Sequence, residues 1–306
     1  MIPILLGFIA GFGIPLQTSV NSKLRERLSS PFVASLVSFL VALVFLIALL
    51  LLTGGNLSYP MDKLVKEPFW IWLGGLCGII YLTGNILLFG KLGSVETVVM
   101  PVLGQILMGL LIDHFGLFYS QVVPLGALRL AGALLVISGV ALVAVAKKGN
   151  RDETGRNGGD IWLWRFFGIG IGMLLAIQTA TNGYLGKIVE SPVKASIVSF
   201  ATGSVIITVL CTLKREWGKG KGNKGSYPFW IWLGGIQGGI YNLANVYLSR
   251  IIGTGMTVVL LLVGTSTGGL LVDHFALLGT PKNPINVKKL SGMALMVLGA
   301  ALIKLF

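Results

Sequence analysis

Charge is scarce in this 306-residue chain: Asp, Glu, Lys and Arg together make up 11% of it, less than half the roughly 25% usual for soluble domains. A water-facing surface cannot be covered with so few charges, and a mean hydropathy of +0.86 excludes a soluble enzyme. Cysteine is nearly absent. Cys77 and Cys211 both sit inside apolar runs, which rules out a disulfide framework and a thiol–metal cluster. With 2 histidines and 11 acids, no metal site or cofactor is expected. No Ser–Lys or Ser–His pairing and no phosphate loop can be assembled. The alternating segments of about ten residues that build a transmembrane β-barrel are missing too.

Long apolar runs are abundant instead. Helical spans are expected near 2–22, 31–53, 68–90, 96–117, 122–146, 163–186, 193–213, 228–249, 255–276 and 287–306, most of them near the ~20 residues that cross a bilayer. The first span has no basic flank and no cleavage site before Lys23, so it is expected to stay. The net charge of +13 falls in short connections rather than on a basic helix face, which argues against nucleic acid as a partner.

The chain repeats itself. PFWIWLGGLCGIIYLTGN (68–85) recurs as PFWIWLGGIQGGIYNLAN (228–245), identical at 12 of 18 positions. SPFVASLVSF (30–39) returns as SPVKASIVSF (191–200), QTSVN (17–21) as QTATN (178–182), and LLIDHF (110–115) as LLVDHF (270–275). Gly132 and Gly139 match Gly292 and Gly299. Between the copies lies KKGNRDETGRNGGD (147–160), polar and glycine-rich, which reads as a linker. The expected organisation is a first repeat over 1–146, a cytoplasmic linker over 147–162 and a second repeat over 163–306. Five crossings leave the chain on the opposite face. The second repeat must then run inverted, as in many secondary transporters. The expected fold is an all-α polytopic membrane protein with ten transmembrane helices in two inverted five-helix repeats. Loops after odd-numbered spans carry 17 Lys and Arg against 7 elsewhere, which puts them in the cytoplasm and both termini outside.

Polar residues within spans are the informative ones, because hydrocarbon cannot satisfy them. Gln17 and Asn21 lie four apart on one helical face, as do Tyr81 and Asn85, and the copies repeat this as Gln178, Asn182, Tyr241 and Asn245. These eight are candidates for a substrate cavity, with interhelical hydrogen bonding as the plainer alternative. Their depth suggests two symmetric vestibules rather than one central site. Gly7–Gly11, Gly168–Gly172, Gly74–Gly78 and Gly234–Gly238 are pairs that let helices approach closely. Pro15 is expected to kink span one, and its counterpart Ala176 is not. Trp70, Trp72, Trp230 and Trp232 fit aromatic belts. Asp113–His114 and Asp273–His274, the sole histidines, sit at matching span ends and are candidates for coupling or gating through an Asp–His⁺ contact. Helix termination at the interface is the alternative. Glu96 is a further coupling candidate, placed near a span end in contact with water; its counterpart is Met256.

Two five-span halves, QTSVN, the PFWIWLGG block and the DHF at the end of span four resemble the YdcZ-type inner-membrane exporters of the drug/metabolite transporter superfamily. The resemblance covers nearly all of the chain, which looks like a fused form of proteins that work as antiparallel pairs. It implies a gradient-coupled carrier in the bacterial cytoplasmic membrane, moving a small polar or cationic metabolite or drug. Small multidrug exporters of that superfamily use a glutamate in their first span. Here that span has Gln17 and no acid, so that coupling scheme does not carry over. The implied partners are a small-molecule substrate and membrane lipid, and the fused chain is expected to act as a monomer. An intramembrane lipid-modifying enzyme, a channel and a membrane scaffold are the competing classes.

The charge bias yields a direct test of topology. In intact cells, Asn157→Cys should resist a membrane-impermeant thiol reagent added outside; labelling there would reverse the assigned orientation.

Overall fold

The protein is seen here as a computed structural model, which describes residues 2–146, 158–219, 226–280, 282 and 284–305. All regular structure among the described residues is helical. Ten long helices follow one another: α1 (Ile2–Leu28), α2 (Pro31–Leu52), α3 (Phe69–Gly93), α4 (Val95–Phe115), α5 (Ala127–Ala146), α6 (Gly158–Ile188), α7 (Pro192–Leu213), α8 (Gly234–Ile251), α9 (Gly253–His274) and α10 (Val287–Leu305). Seven of them are long and apolar enough to cross a membrane: α1, α2, α3, α4, α6, α7 and α9. The α5 helix is a shorter apolar one, and α8 and α10 carry more polar residues. The chain is an all-α polytopic membrane protein.

Local chemistry sets the boundaries. Ser30 and Ser191 each cap the helix that follows, accepting from the backbone N–H of Val33 at 3.2 Å and of Lys194 at 3.3 Å, with proline at the first helical position. Between α3 and α4 the chain breaks at Gly93 (φ 76°, ψ 177°), a conformation open to glycine and closed to most other residues. Several expected boundaries change: the fifth helix begins at Ala127 rather than 122, and the eighth at Gly234 rather than 228, after a 3-10 turn. The α1 helix continues to Leu28, beyond the expected 22, and Gly158–Asp160, read as linker, form the first turn of α6. Residues 147–157 of the linker lie outside the described residues. At Pro15 the helix continues, and the Gly11 carbonyl left without an N–H donor is taken by Thr265 Oγ1 from α9 at 3.2 Å.

The packing is symmetric under exchange of the first five helices with the last five. The α1 helix lies along α9 and α4 along α6; α2 faces α7, and α5 faces α10. Direction can be read from the glycines. Gly132 abuts Gly299 and Gly139 abuts Gly292, so α5 and α10 run antiparallel. Gly168 abuts Met100 and Gly172 abuts Pro101, so α6 and α4 run parallel, as even-numbered crossings must. Three of the basic residues counted as loop charges turn out to be buried: Arg129, Arg165 and Lys289. Two come from the larger group and one from the smaller, so the bias survives their removal.

Contacts this close leave no room for side chains. A Cβ on Gly172 would strike the Pro101 backbone, whereas one on Gly170, two residues away, would meet nothing within 4 Å. Gly172→Leu should therefore lower stability by about 1–3 kcal/mol, the usual scale of overpacking, while Gly170→Leu changes little. Thermal unfolding of the two variants in detergent checks this; equal midpoints would mean the α4–α6 contact is looser than described.

Candidate functional site

The same glycines that bring helices together also receive the polar side chains. Gly74 and Gly78 of α3 face Asn182 and Gln178 of α6, and Gly234 and Gly238 of α8 face Asn21 and Gln17 of α1. A glycine strip thus gives each amide a place against backbone, and each strip and its amides belong to different halves of the chain. Asn182 Nδ2 donates to Ser199 Oγ at 3.1 Å, and the matching Asn21 Oδ1 accepts from Ser38 Oγ at 2.6 Å.

These elements enclose a cavity of about 60 Å³ at water centres, room for about four waters. Its walls carry Gln17, Tyr81, Gln178, Asn182, Tyr241 and Asn245. Phe39 and Phe200, edge to face at 4.9 Å, close the α2–α7 side. A second cavity of about 20 Å³, on the α4–α9 side, holds Asn85, Thr97, Gln105 and Thr265. Both cavities share Ile14, Leu175, Tyr81 and Tyr241, so the two phenols stand between them. The Tyr81 hydroxyl lies near the Asn85 amide, and that of Tyr241 near the Gln105 amide. Seven of the eight candidate residues therefore line these two neighbouring cavities at the interface of the halves, six of them in one. The expectation of two separate vestibules is replaced. Asn21 lines neither cavity and is fully buried.

Several polar atoms on these walls have no partner within the protein. Asn85 Oδ1, Asn182 Oδ1 and Asn245 Oδ1 are buried without a hydrogen bond, an arrangement that costs about 1–3 kcal/mol per group. Among the described residues, no group of three or more His, Cys, Asp or Glu side chains could hold a metal.

Charge inside the bundle is handled by ion pairs outside both cavities. Glu96 does not meet water: it is 2% exposed and binds Arg165 in bidentate fashion, at 2.9 Å from Nε and 3.3 Å from Nη2. Trp162 packs on the guanidinium at 4.9 Å. The corresponding positions in the other half are Met256 and Ile4, so the pair occurs once. Asp113 is likewise held by an arginine. Arg129 Nη2 reaches it at 2.8 Å, while Nη1 and Nε bind the carbonyls of Val123 and Ile303. This one side chain joins the end of α4 to α5 and α10. Lys289 occupies the equivalent position in the sequence, is buried as Asp273 is, and donates to the Pro284 carbonyl at 2.9 Å.

The histidines behave differently from the expected Asp–His⁺ contact. His114 Nδ1 accepts from the Leu125 backbone N–H at 3.2 Å, and His274 Nδ1 accepts from Ile285 at 3.3 Å. An accepting Nδ1 carries no proton in this arrangement. Aspartate and histidine of a pair thus serve different neighbours, the histidine securing the turn that follows its helix. Arg129 and Arg165 were missed because basic residues near span ends were counted as loop charges. Their signal was position: each lies inside an expected apolar span.

The Trp positions also divide. Trp72 and Trp230 are exposed in the manner of a belt. Trp70 instead packs on Phe118, Tyr119 and Tyr184 at 5.3–5.4 Å.

Breaking a buried ion pair strands a charge, which costs about 3–5 kcal/mol, whereas replacing both partners by apolar groups is often neutral. Glu96→Met alone and Arg165→Ile alone should each be strongly destabilised, while the double variant, which installs the residues of the other half, should recover most of the loss. Thermal unfolding of the three variants measures this; a double variant as unstable as the sum of the singles would contradict it.

Comparison with known proteins agrees with this architecture. The profile of the family described as "Putative inner membrane exporter, YdcZ" matches the chain twice, over residues 2–142 and 163–302. The "Inner membrane protein YdcZ" of Escherichia coli (strain K12) is 29% identical over 137 residues, covering 44% of this chain and 89% of that protein. A solved protein crystal structure superposes with a TM-score of 0.62 over 99% of this chain and 96% of the other, at 16% identity, which speaks for the fold alone. With both halves matched, the chain belongs to the YdcZ family of inner membrane exporters and is itself a multi-pass inner membrane protein.

Proposed function

We propose that the protein is a secondary carrier that exports a small polar or cationic solute by alternating access, and that it is not an enzyme. Its two units, 1–146 and 163–306, are related by inversion and joined by a cytoplasmic linker over 147–162. The observation that carries this reading is the shared cavity. Equivalent residues of both halves line it, namely Gln17 with Gln178 and Tyr81 with Tyr241. At about 60 Å³ it lies well below the roughly 300–1,000 Å³ of ligand pockets. A solute therefore needs the halves to move apart, which a carrier does and a fixed pore does not.

The lining suits a polar or cationic solute and disfavours an anion. Amides and phenols face the space, and no lysine or arginine lines either cavity. Three buried amide oxygens receive no donor from the protein, and a solute bearing N–H groups would supply one. The Asp113–Arg129 pair and its counterparts Asp273 and Lys289, each followed by a histidine-secured turn, are assigned as matched closures of the two ends. Glu96 is assigned to coupling, because it is a buried acid inside a span, held by a buried arginine, and the matching position in the other half is Met256.

Purified full-length protein in proteoliposomes tests the carrier reading. Vesicles loaded with unlabelled methylammonium or tetramethylammonium should accumulate the labelled solute by counterflow. Gln178→Leu and Tyr241→Phe should reduce that rate at least about tenfold, the loss of one or more buried hydrogen bonds. Flux without trans-stimulation would indicate a channel, and flux indifferent to both substitutions would remove the cavity from the path.

A further inference from the structure

The two ends of the molecule are built on one backbone plan and differ in chemistry at matching positions. At one end, Trp70, Tyr119 and Tyr184 form a triangle of rings with centroids 5.0–5.4 Å apart, and Phe118 stacks on Trp70. Glu67 borders it, accepting from the Tyr184 hydroxyl at 2.9 Å. At the other end the counterparts are Trp230, Gly279, Lys23, Leu278 and Tyr227. The carboxylate there becomes a phenol, and the tyrosine becomes an ammonium. Lys23 lies beside Gly279, and the ring of Tyr227 is already covered by Arg27 at 5.7 Å. Among the described residues, no chain cation lies over Trp70, Tyr119 or Tyr184, although cation–ring contacts occur elsewhere.

Backbone strain gives an independent reason to treat the aromatic end as specialised. Tyr119 has φ 54° and Phe118 φ 58°, both in the left-handed region. Bulky residues avoid that region. The strain at Phe118 is shared by its counterpart Leu278 (φ 56°), and Ala276 (φ 52°) stands where this end has Gly116 (φ 63°), but at the Tyr119 position the other copy has Gly279 with φ 76°, where no side chain is needed. Retaining a tyrosine at Tyr119 costs conformational energy that glycine would spare, and strain of this kind collects at functional sites. The ring it presents is largely open, at 61% exposure. Placement of basic residues on the cytoplasmic side accounts for Lys23 and Arg27. It does not account for tyrosine in place of glycine.

We propose that Glu67, Trp70, Tyr119 and Tyr184 form a binding platform for organic cations, separate from the central cavity. The exposed Tyr119 ring attracts a cation through its quadrupole, with the half-buried Trp70 and Tyr184 rings beside it and the bordering carboxylate supplying the opposite charge. Of the basic residues close in sequence, Lys63 is paired with Glu190 at 3.3 Å, while Lys66 and Lys187 are exposed and lie over none of the three rings. Tyr184 follows the cavity residue Asn182 by two positions near the C-terminal end of α6, and none of the four platform residues lines the cavity.

The test uses binding to the purified full-length protein and needs no flux, so it stands or falls separately from the carrier reading. Isothermal titration compares choline with its uncharged isostere 3,3-dimethyl-1-butanol. Saturable binding of choline, at least about fivefold tighter than that of the isostere, is expected, in line with about 1 kcal/mol for an exposed cation–ring contact. Glu67→Gln should weaken choline about fivefold or more. Tyr119→Gly should weaken it about threefold or more while leaving the thermal midpoint unchanged or raised, since it installs the residue of the other copy and relieves the left-handed strain. Tyr227→Phe, at the opposite end, should bind choline as the unaltered protein does. Equal binding of choline and the isostere, or choline binding unmoved by both Glu67→Gln and Tyr119→Gly, would overturn the platform; so would the absence of choline binding.

Discussion

The structure depends on how polar side chains are housed where no water can reach them. Asn21, Gln17, Asn182 and Gln178 project from α1 and α6, and each finds its place against a glycine of α8 or α3. Replace those glycines by any larger residue and the amides lose their sites, the helices separate and the cavity between them changes shape. Close packing and cavity formation are thus one feature. In a soluble protein, water could fill such a mismatch; in hydrocarbon, each stranded amide is left unpaired.

Symmetry then decides what is frame and what is specialisation. The amides, the phenols, the capping serines and the histidine-secured turns all occur twice. Among the described residues, features that occur once include the Glu96–Arg165 pair, the aromatic triangle at Trp70, and the cluster of charge at Lys23 and Arg27. A carrier made of two identical inverted halves has equal energies facing either way. Features present once are therefore the means by which such a chain can favour one state or one direction. In this fused chain the two copies are free to diverge, as Met256 opposite Glu96 and Gly279 opposite Tyr119 show.

Much of this was legible in the sequence. The duplicated PFWIWLGG block, the odd number of spans per copy and the QTSVN and QTATN motifs led to ten helices and to the residues that line the cavity. The glycine pairs were read as helix contacts, which holds for Gly168 and Gly172. At Gly74 and Gly234 the neighbour is an amide from the other half, a pairing that only the three-dimensional arrangement reveals. Depth along a helix misled, because it treated the two ends as separate and did not show that inverted helices bring Gln17 and Gln178 to one space. Arg129 and Arg165 were hidden by the habit of assigning basic residues near span ends to loops. A buried arginine inside an apolar run signals a buried acid, and Asp113 and Glu96 were available to pair with it.

The central claim is that the two ends open in turn around one cavity. Spin labels placed at exposed, symmetry-matched positions report on each end directly: Phe69 with Lys187 at one, Glu26 with Phe229 at the other. Distance distributions from double electron–electron resonance should be anticorrelated. Conditions that lengthen the first distance should shorten the second, with at least two populations for each pair in lipid. A single fixed distance at both ends, or simultaneous lengthening of both, would contradict a carrier and point to a static scaffold or an open pore.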